Sequence, residues 1–73
     1  MINYSIQEQR AIQKCADLAG WQDVQSALDT DTISIIKGRD GCMYAWYLDE
    51  LNCFAIKVDT MELVTDSIEY LFC

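Results

Sequence analysis

The chain has 73 residues, of which 52% are hydrophobic and 23% charged, a composition typical of a folded domain and not of a disordered tail. Its net charge is −7, from twelve aspartates and glutamates against five lysines and arginines. A chain this acidic repels phosphate backbones, which argues against direct nucleic-acid binding. The charge suits either plain solubility or docking onto a basic protein surface. So short a chain also has little room for an internal pocket.

The sequence gives no indication of a membrane or export function. It contains no run of 18 or more apolar residues that could form a membrane-spanning helix. The N-terminus is polar by residue 7 and lacks the positively charged region of a secretory signal. We therefore expect a cytoplasmic protein with reduced cysteines and no membrane partner.

The N-terminal part predicts two helices. Ser5 and Glu8 have the spacing of a capping box, and Gly20 is suited to end a helix, so a helix is expected over 6–19. Its buried face would carry residues three, four and seven apart, namely Ile12, Cys15, Ala16 and Ala19. Trp21–Leu28 repeats the helical spacing and predicts a second, shorter helix packed on the first or on a sheet.

Three β-rich segments follow: Thr32–Lys37, Cys42–Leu48 and Cys53–Val58. The intervening turns, over 38–41 and 49–52, are short, so the strands are expected to form an antiparallel meander. The tail, Asp59–Cys73, has two interpretations. It is either one helix, which fits more of its apolar residues, or a fourth strand over Thr60–Val64 followed by a helix over Asp66–Phe72.

We therefore predict one compact α+β domain over residues 1–73, with two N-terminal helices, a three-stranded antiparallel meander and a C-terminal helix. Placing Gly38 opposite Gly41, and Leu48 opposite Cys53, fixes a strand register. The face that would bear the helices then holds Ile36, Met43, Ala45, Tyr47, Phe54, Ile56 and Val58. The opposite face holds Ile33, Ile35, Tyr44, Trp46, Leu48 and Ala55.

The second face is unusually apolar, because an antiparallel sheet with one exposed side is normally polar there. Either helices cover both faces, or the face of Tyr44 and Trp46 is a contact surface. Tyrosine and tryptophan are enriched at the energetic centres of protein interfaces, which favours the second interpretation. The sequence leaves both open.

No pattern of catalytic or metal-binding residues is present. The chain has no histidine, so the common nucleophile–base pairs and the commonest metal ligand are missing. The four cysteines, Cys15, Cys42, Cys53 and Cys73, include no Cys-x-x-Cys pair, and no glycine-rich phosphate loop occurs. We therefore expect no enzymatic activity, no cofactor and no metal, and mainly structural cysteines.

Acidic residues are concentrated in the C-terminal part, where residues 48–73 hold six carboxylates against the single cation Lys57. If the tail is one helix, four of them form a stripe opposite its apolar face. The stripe would be either a solvated helix face or an anionic surface that competes for a basic, nucleic-acid-binding groove. These four residues are Asp59, Glu62, Asp66 and Glu69.

In size, charge and lack of catalytic residues, the whole chain resembles small acidic phage-encoded inhibitors of host defence, such as anti-CRISPR proteins. No motif or individual residue carries over from that family. The resemblance implies a non-enzymatic inhibitor in the host cytoplasm that occupies a basic partner surface, such as that of a CRISPR effector. The candidate partner-binding residues are Tyr44, Trp46, Asp49, Glu50, Asp59, Glu62, Asp66 and Glu69. The alternative is a homodimeric structural or regulatory module that uses its Tyr44/Trp46 face as the interface.

Overall fold

The structure, a computed structural model, describes residues 4–66 and 68–72 and is built on one antiparallel sheet. The sheet has four strands in the order β1-β2-β3-β4. The α+β class is therefore confirmed, whereas the expected number of three strands is too low. The elements are α1 (Ile6–Ala19), α2 (Val24–Asp29), β1 (Ile33–Lys37), β2 (Met43–Leu48), β3 (Cys53–Lys57), β4 (Leu63–Val64) and α3 (Ile68–Phe72).

Helix α1 has the predicted bounds. The Ser5 hydroxyl accepts a hydrogen bond from the Glu8 amide, and the Glu8 carboxylate accepts one from the Ser5 amide, which completes the capping box. Gly20 ends the helix in the left-handed conformation, at φ 81°. The face that α1 buries against the sheet consists of Ala11, Ile12, Cys15 and Ala16.

Helix α2 begins three residues later than predicted. Asp23 is its N-cap, and its carboxylate accepts hydrogen bonds from the Gln25 and Ser26 amides. Trp21 lies outside the helix, where its indole Nε1–H donates to the Tyr47 hydroxyl at 2.7 Å. The helical spacing of Trp21 and Val24 therefore reflects packing on the same core and not a shared helix.

The turn between β1 and β2 is longer than expected. The Gly38 amide donates to the Cys42 carbonyl at 2.9 Å, so the loop comprises Arg39, Asp40 and Gly41, and Gly41 has φ 85°. Lys37 consequently faces Met43, and Ile36 faces Tyr44. The predicted pairing of Gly38 with Gly41 is wrong by one residue.

That single residue moves every β1 side chain to the other face of the sheet. Ile33 and Ile35 pack with the core under α1 and α2, instead of lying on the opposite face as predicted. The register of β2 and β3 is as predicted, with Leu48 opposite Cys53 and Tyr47 opposite Phe54. The buried residues of this main core are Ala11, Ile12, Cys15, Ala16, Ala27, Ile33, Ala45, Tyr47, Phe54, Ile56 and Val58.

The tail follows the interpretation that the prediction ranked second. Leu63 and Val64 form β4 and pair with Ile56 and Ala55, and helical structure begins only at Ile68. The preferred single helix over 59–73 is therefore wrong. Strand β4 supplies hydrogen-bond partners to the outer edge of β3, as in the bond from the Lys57 amide to the Glu62 carbonyl at 2.9 Å. A single helix over 59–73 would leave the backbone groups of that edge unpaired.

Helix α3 covers the second face of the sheet. Tyr44, Ala55 and Leu71 are buried there, and partly buried Trp46 and Phe72 pack against them. Helices thus lie on both faces, which explains why both are apolar. Within residues 4–66 and 68–72, no helix has the length and hydrophobicity needed to cross a membrane.

Candidate functional site

Tyr44, predicted to contact a partner, is a core residue. Its side chain is 2% exposed, and the Phe72 ring packs edge-on against it at a centroid distance of 5.2 Å. The hydroxyl donates to Asp40 Oδ2 at 2.6 Å, and this hydrogen bond, together with burial, raises the pKa of Tyr44 to about 12. Tyr44 therefore supports the surface from below and offers almost no contact area of its own.

Trp46 keeps part of its surface. Its ring centroid lies 4.8 Å from that of Phe72, and the side chain is half-buried. The remaining part lines a mainly apolar groove between the sheet and α3. The other lining residues are Cys53, Thr65, Asp66, Ile68 and Glu69.

A second groove adjoins the first along β4. It shares Thr65 and Asp66 with the first groove and extends to Glu62 and Lys57. Three of the predicted acidic residues therefore border these two adjoining grooves, the second of which also contains the cation Lys57. We refer to this surface as the acidic groove and define it by Trp46, Cys53, Glu62, Thr65, Asp66, Ile68 and Glu69.

Apolar side chains extend the acidic groove toward the β2–β3 turn. Leu48 faces Cys53 across the two strands and lies on the same side of the sheet as Trp46. Leu48 is 50% exposed, and Leu51, in the turn, is 91% exposed. The alternation of β2 already placed Leu48 on the Trp46 side in the sequence, although it was not among the predicted partner-binding residues. Nothing in the sequence distinguished Leu51.

Asp49 belongs to the turn and not to the acidic groove. Its carboxylate accepts hydrogen bonds from the Tyr47 hydroxyl, the Leu51 amide at 2.7 Å and the Asn52 amide at 2.6 Å. These bonds, that of Tyr47 foremost, lower the pKa of Asp49. Because its oxygens already accept three donors, Asp49 is better suited to hold the hairpin than to bind a partner.

The remaining two acidic candidates lie apart from the acidic groove. Glu50 is exposed in the turn before β3, and Asp59 is exposed in the turn after it, so they occupy opposite ends of that strand. The predicted helical stripe does not form, because Asp59 and Glu62 both precede α3. Glu62, Asp66 and Glu69 instead come together because β4 pairs with β3 and the chain then turns into α3.

The three described cysteines, Cys15, Cys42 and Cys53, belong to no metal-binding cluster. In the described part of the chain, no group of three or more cysteine or acidic side chains could hold a metal ion. Cys15 is fully buried, its thiol donates to the Ala45 carbonyl at 3.4 Å, and burial raises its pKa to about 12, so it is a core residue, as predicted. Cys42 and Cys53 are free thiols, and Cys73 lies outside the described residues.

Comparison of the chain with protein-family models, with curated proteins and with solved structures found no match.

Proposed function

We propose that this protein is a small acidic, non-enzymatic inhibitor that binds a basic, nucleic-acid-binding surface of a partner protein and blocks it by occupation. The observation that supports this most directly is the acidic groove, which brings the apolar side chains of Trp46 and Ile68 together with exposed carboxylates. A CRISPR effector encountered in the host cytoplasm is the partner class that the overall profile suggests.

The two kinds of residue in the acidic groove have separate roles in this proposal. Trp46 and Ile68 provide apolar area that a partner side chain can bury, which supplies most of the binding free energy. Glu62, Asp66 and Glu69 attract lysine or arginine side chains, which raises the association rate and orients the partner. Such an interface is complementary to a basic surface that binds the phosphates of nucleic acid.

Exposure of the carboxylates favours binding over catalysis. General acid–base catalysis with two carboxylates requires an environment that pushes their pKa values apart, usually by burying one of them. Glu62, Asp66 and Glu69 are all exposed, and the acidic groove is open. Their placement suits charge pairing across an interface.

Competition with nucleic acid tests this function. Basic nucleic-acid-binding proteins, including guide-loaded CRISPR effectors, would be immobilised and exposed to the protein with and without their DNA or RNA. We expect at least one of them to bind, with an affinity that falls as salt is raised, and nucleic acid to displace the protein. Binding that ignores salt and coexists with bound nucleic acid would contradict the proposal.

A further inference from the structure

Strand β1 has an outer edge whose backbone groups no described residue pairs. Hydrogen bonds join the Leu48 amide to the Thr32 carbonyl and the Gly38 amide to the Cys42 carbonyl. In an antiparallel strand, the backbone N–H and C=O groups of alternate residues point to opposite edges of the strand. Ser34 and Ile36 therefore also direct these groups toward β2. The amides and carbonyls of the alternate residues, Ile33, Ile35 and Lys37, point away from the sheet.

Within the described residues, the interior of β1 has neither the proline nor the charge that usually prevents edge strands from pairing. Natural edge strands are short, bulged, or interrupted by proline or charge. The opposite edge of the sheet, β4, is only two residues long. By contrast, β1 has five residues, contains no proline, and carries its one charge, Lys37, at its end.

We propose that two copies of the chain pair through β1 in antiparallel orientation, which forms a continuous eight-stranded sheet. A two-fold axis at Ile35 places Ile35 opposite the partner's Ile35, and Ile33 opposite the partner's Lys37. In this register each residue whose amide and carbonyl point outward faces another such residue of the partner. The outward-pointing backbone groups of Ile33, Ile35 and Lys37 can then all form hydrogen bonds.

A groove beside β1 is positioned to receive the partner strand. It is lined by Ile33, Ser34 and Ile35 of the strand and by Tyr4, Glu8, Leu28 and Asp31 around it. Ile33 and Ile35 lie on the face of the sheet that α1 and α2 cover, so the partner's Ile35 and the partner's Lys37 would enter from the same side. Asp31, in the turn just before β1, lines the same groove near Ile33, the residue that would face the partner's Lys37. Symmetry provides this opposite-charge proximity twice.

The carboxylates of the acidic groove contribute little repulsion to this contact, because they lie far from the β1 edge. The acidic groove is on the β3–β4 side of the sheet, two to three strands from the β1 edge, or roughly 10–14 Å at the usual strand spacing. That distance exceeds the screening length of about 8 Å at physiological salt. Both acidic grooves remain open at the far edges, so dimerisation and the proposed function can fail independently.

Sedimentation velocity of the full chain, from micromolar to millimolar concentration, tests the proposal. We expect a concentration-dependent shift from the monomer mass of 8.4 kDa to twice that value. Ile35→Pro removes an outward-pointing amide while leaving the bonds to β2, and we expect it to abolish the dimer. Circular dichroism would verify that this variant is folded.

A charge variant keeps the proposal testable if Ile35→Pro does not fold. Lys37→Glu places a carboxylate near Asp31 of the other copy, and we expect the dimer dissociation constant to rise about tenfold or more. Arg10→Glu, an equal charge change at an exposed position of α1, should leave it within about twofold. A wild-type chain that stays monomeric throughout, or a dimer that tolerates Lys37→Glu, would overturn the proposal.

Discussion

The ring of Phe72 lies edge-on against Tyr44, with 5.2 Å between centroids and an angle of 89° between planes. This contact joins the last described residue of α3 to the middle of the sheet. It accounts for the burial of Tyr44, and it places Ile68 and Glu69 beside Trp46. The acidic groove therefore depends on the docking of a five-residue helix.

Removing the Phe72 ring tests that dependence. Phe72→Ala deletes contacts to both Tyr44 and Trp46, and we expect the free energy of unfolding to fall by about 1–3 kcal/mol, less than for a fully buried phenylalanine. Urea denaturation measures the loss. Tyr70→Ala is the matched control, because Tyr70 is on the same helix but 72% exposed, and it should cost under about 0.5 kcal/mol. Equal losses in the two variants would contradict the packing described for α3.

The hydroxyl of Tyr47 links two loops, because it accepts from the Trp21 indole and donates to Asp49. Tyr47→Phe leaves both groups without that partner at little change in volume, and we expect destabilisation of about 1–3 kcal/mol. Urea unfolding of this variant, compared with Tyr70→Phe, measures the effect. A variant as stable as the wild type would show that the hydroxyl contributes nothing net.

Alkaline pH should destabilise the fold through its buried acids. The pKa of Cys15 is raised from 9.0 to about 12 by burial, so the folded state keeps its proton while the unfolded state loses it. Stability from this group is complete below pH 9 and falls by up to about 1.4 kcal/mol per pH unit until the folded pKa is reached. Tyr44, whose pKa is raised to about 12 chiefly by its hydrogen bond to Asp40, adds a loss in the same direction above pH 10.

A series of urea denaturation curves between pH 8 and pH 11 measures this dependence. Cys15→Ser, which keeps a hydrogen-bond donor but does not ionise in this range, should lack the decline between about pH 9 and pH 10. A decline of unchanged steepness in that variant would assign the effect to other groups.

Local sequence signals predicted the elements whose ends are set by local chemistry. The capping box at Ser5 and Gly20 gave α1 its correct bounds, and the turn over 49–52, with Leu48 opposite Cys53, gave the β2–β3 register. The β1 register was missed because Gly38 and Gly41 suit both a two-residue and a three-residue loop, and only pairing with β2 decides between them. For the tail, the strand-plus-helix alternative was ranked second, because a two-residue strand carries too little periodicity to outweigh a helical pattern.

The candidate surface was predicted only in part, because local signals indicate which residues share a face but not which of them tertiary packing covers. Alternation along β2 correctly put Tyr44 and Trp46 on one face, but which of them α3 covers depends on where Phe72 and Leu71 dock. Glu62, Asp66 and Glu69 were identified from charge density, although a strand and a helix bring them together and not one helix. The turn role of Asp49 follows from hydrogen bonds that its position in the sequence does not specify.

The most direct test of the acidic groove as a binding surface is a charge-reversal pair measured on a partner from the competition experiment. Glu62→Lys with Glu69→Lys reverses two charges in the acidic groove, and Asp17→Lys with Asp29→Lys makes the same net change at exposed sites on α1 and α2. We expect the first pair to weaken binding at least tenfold and to flatten its salt dependence, and the second to change it less than threefold. Equal effects of the two pairs, or none from either, would contradict the assignment of the acidic groove.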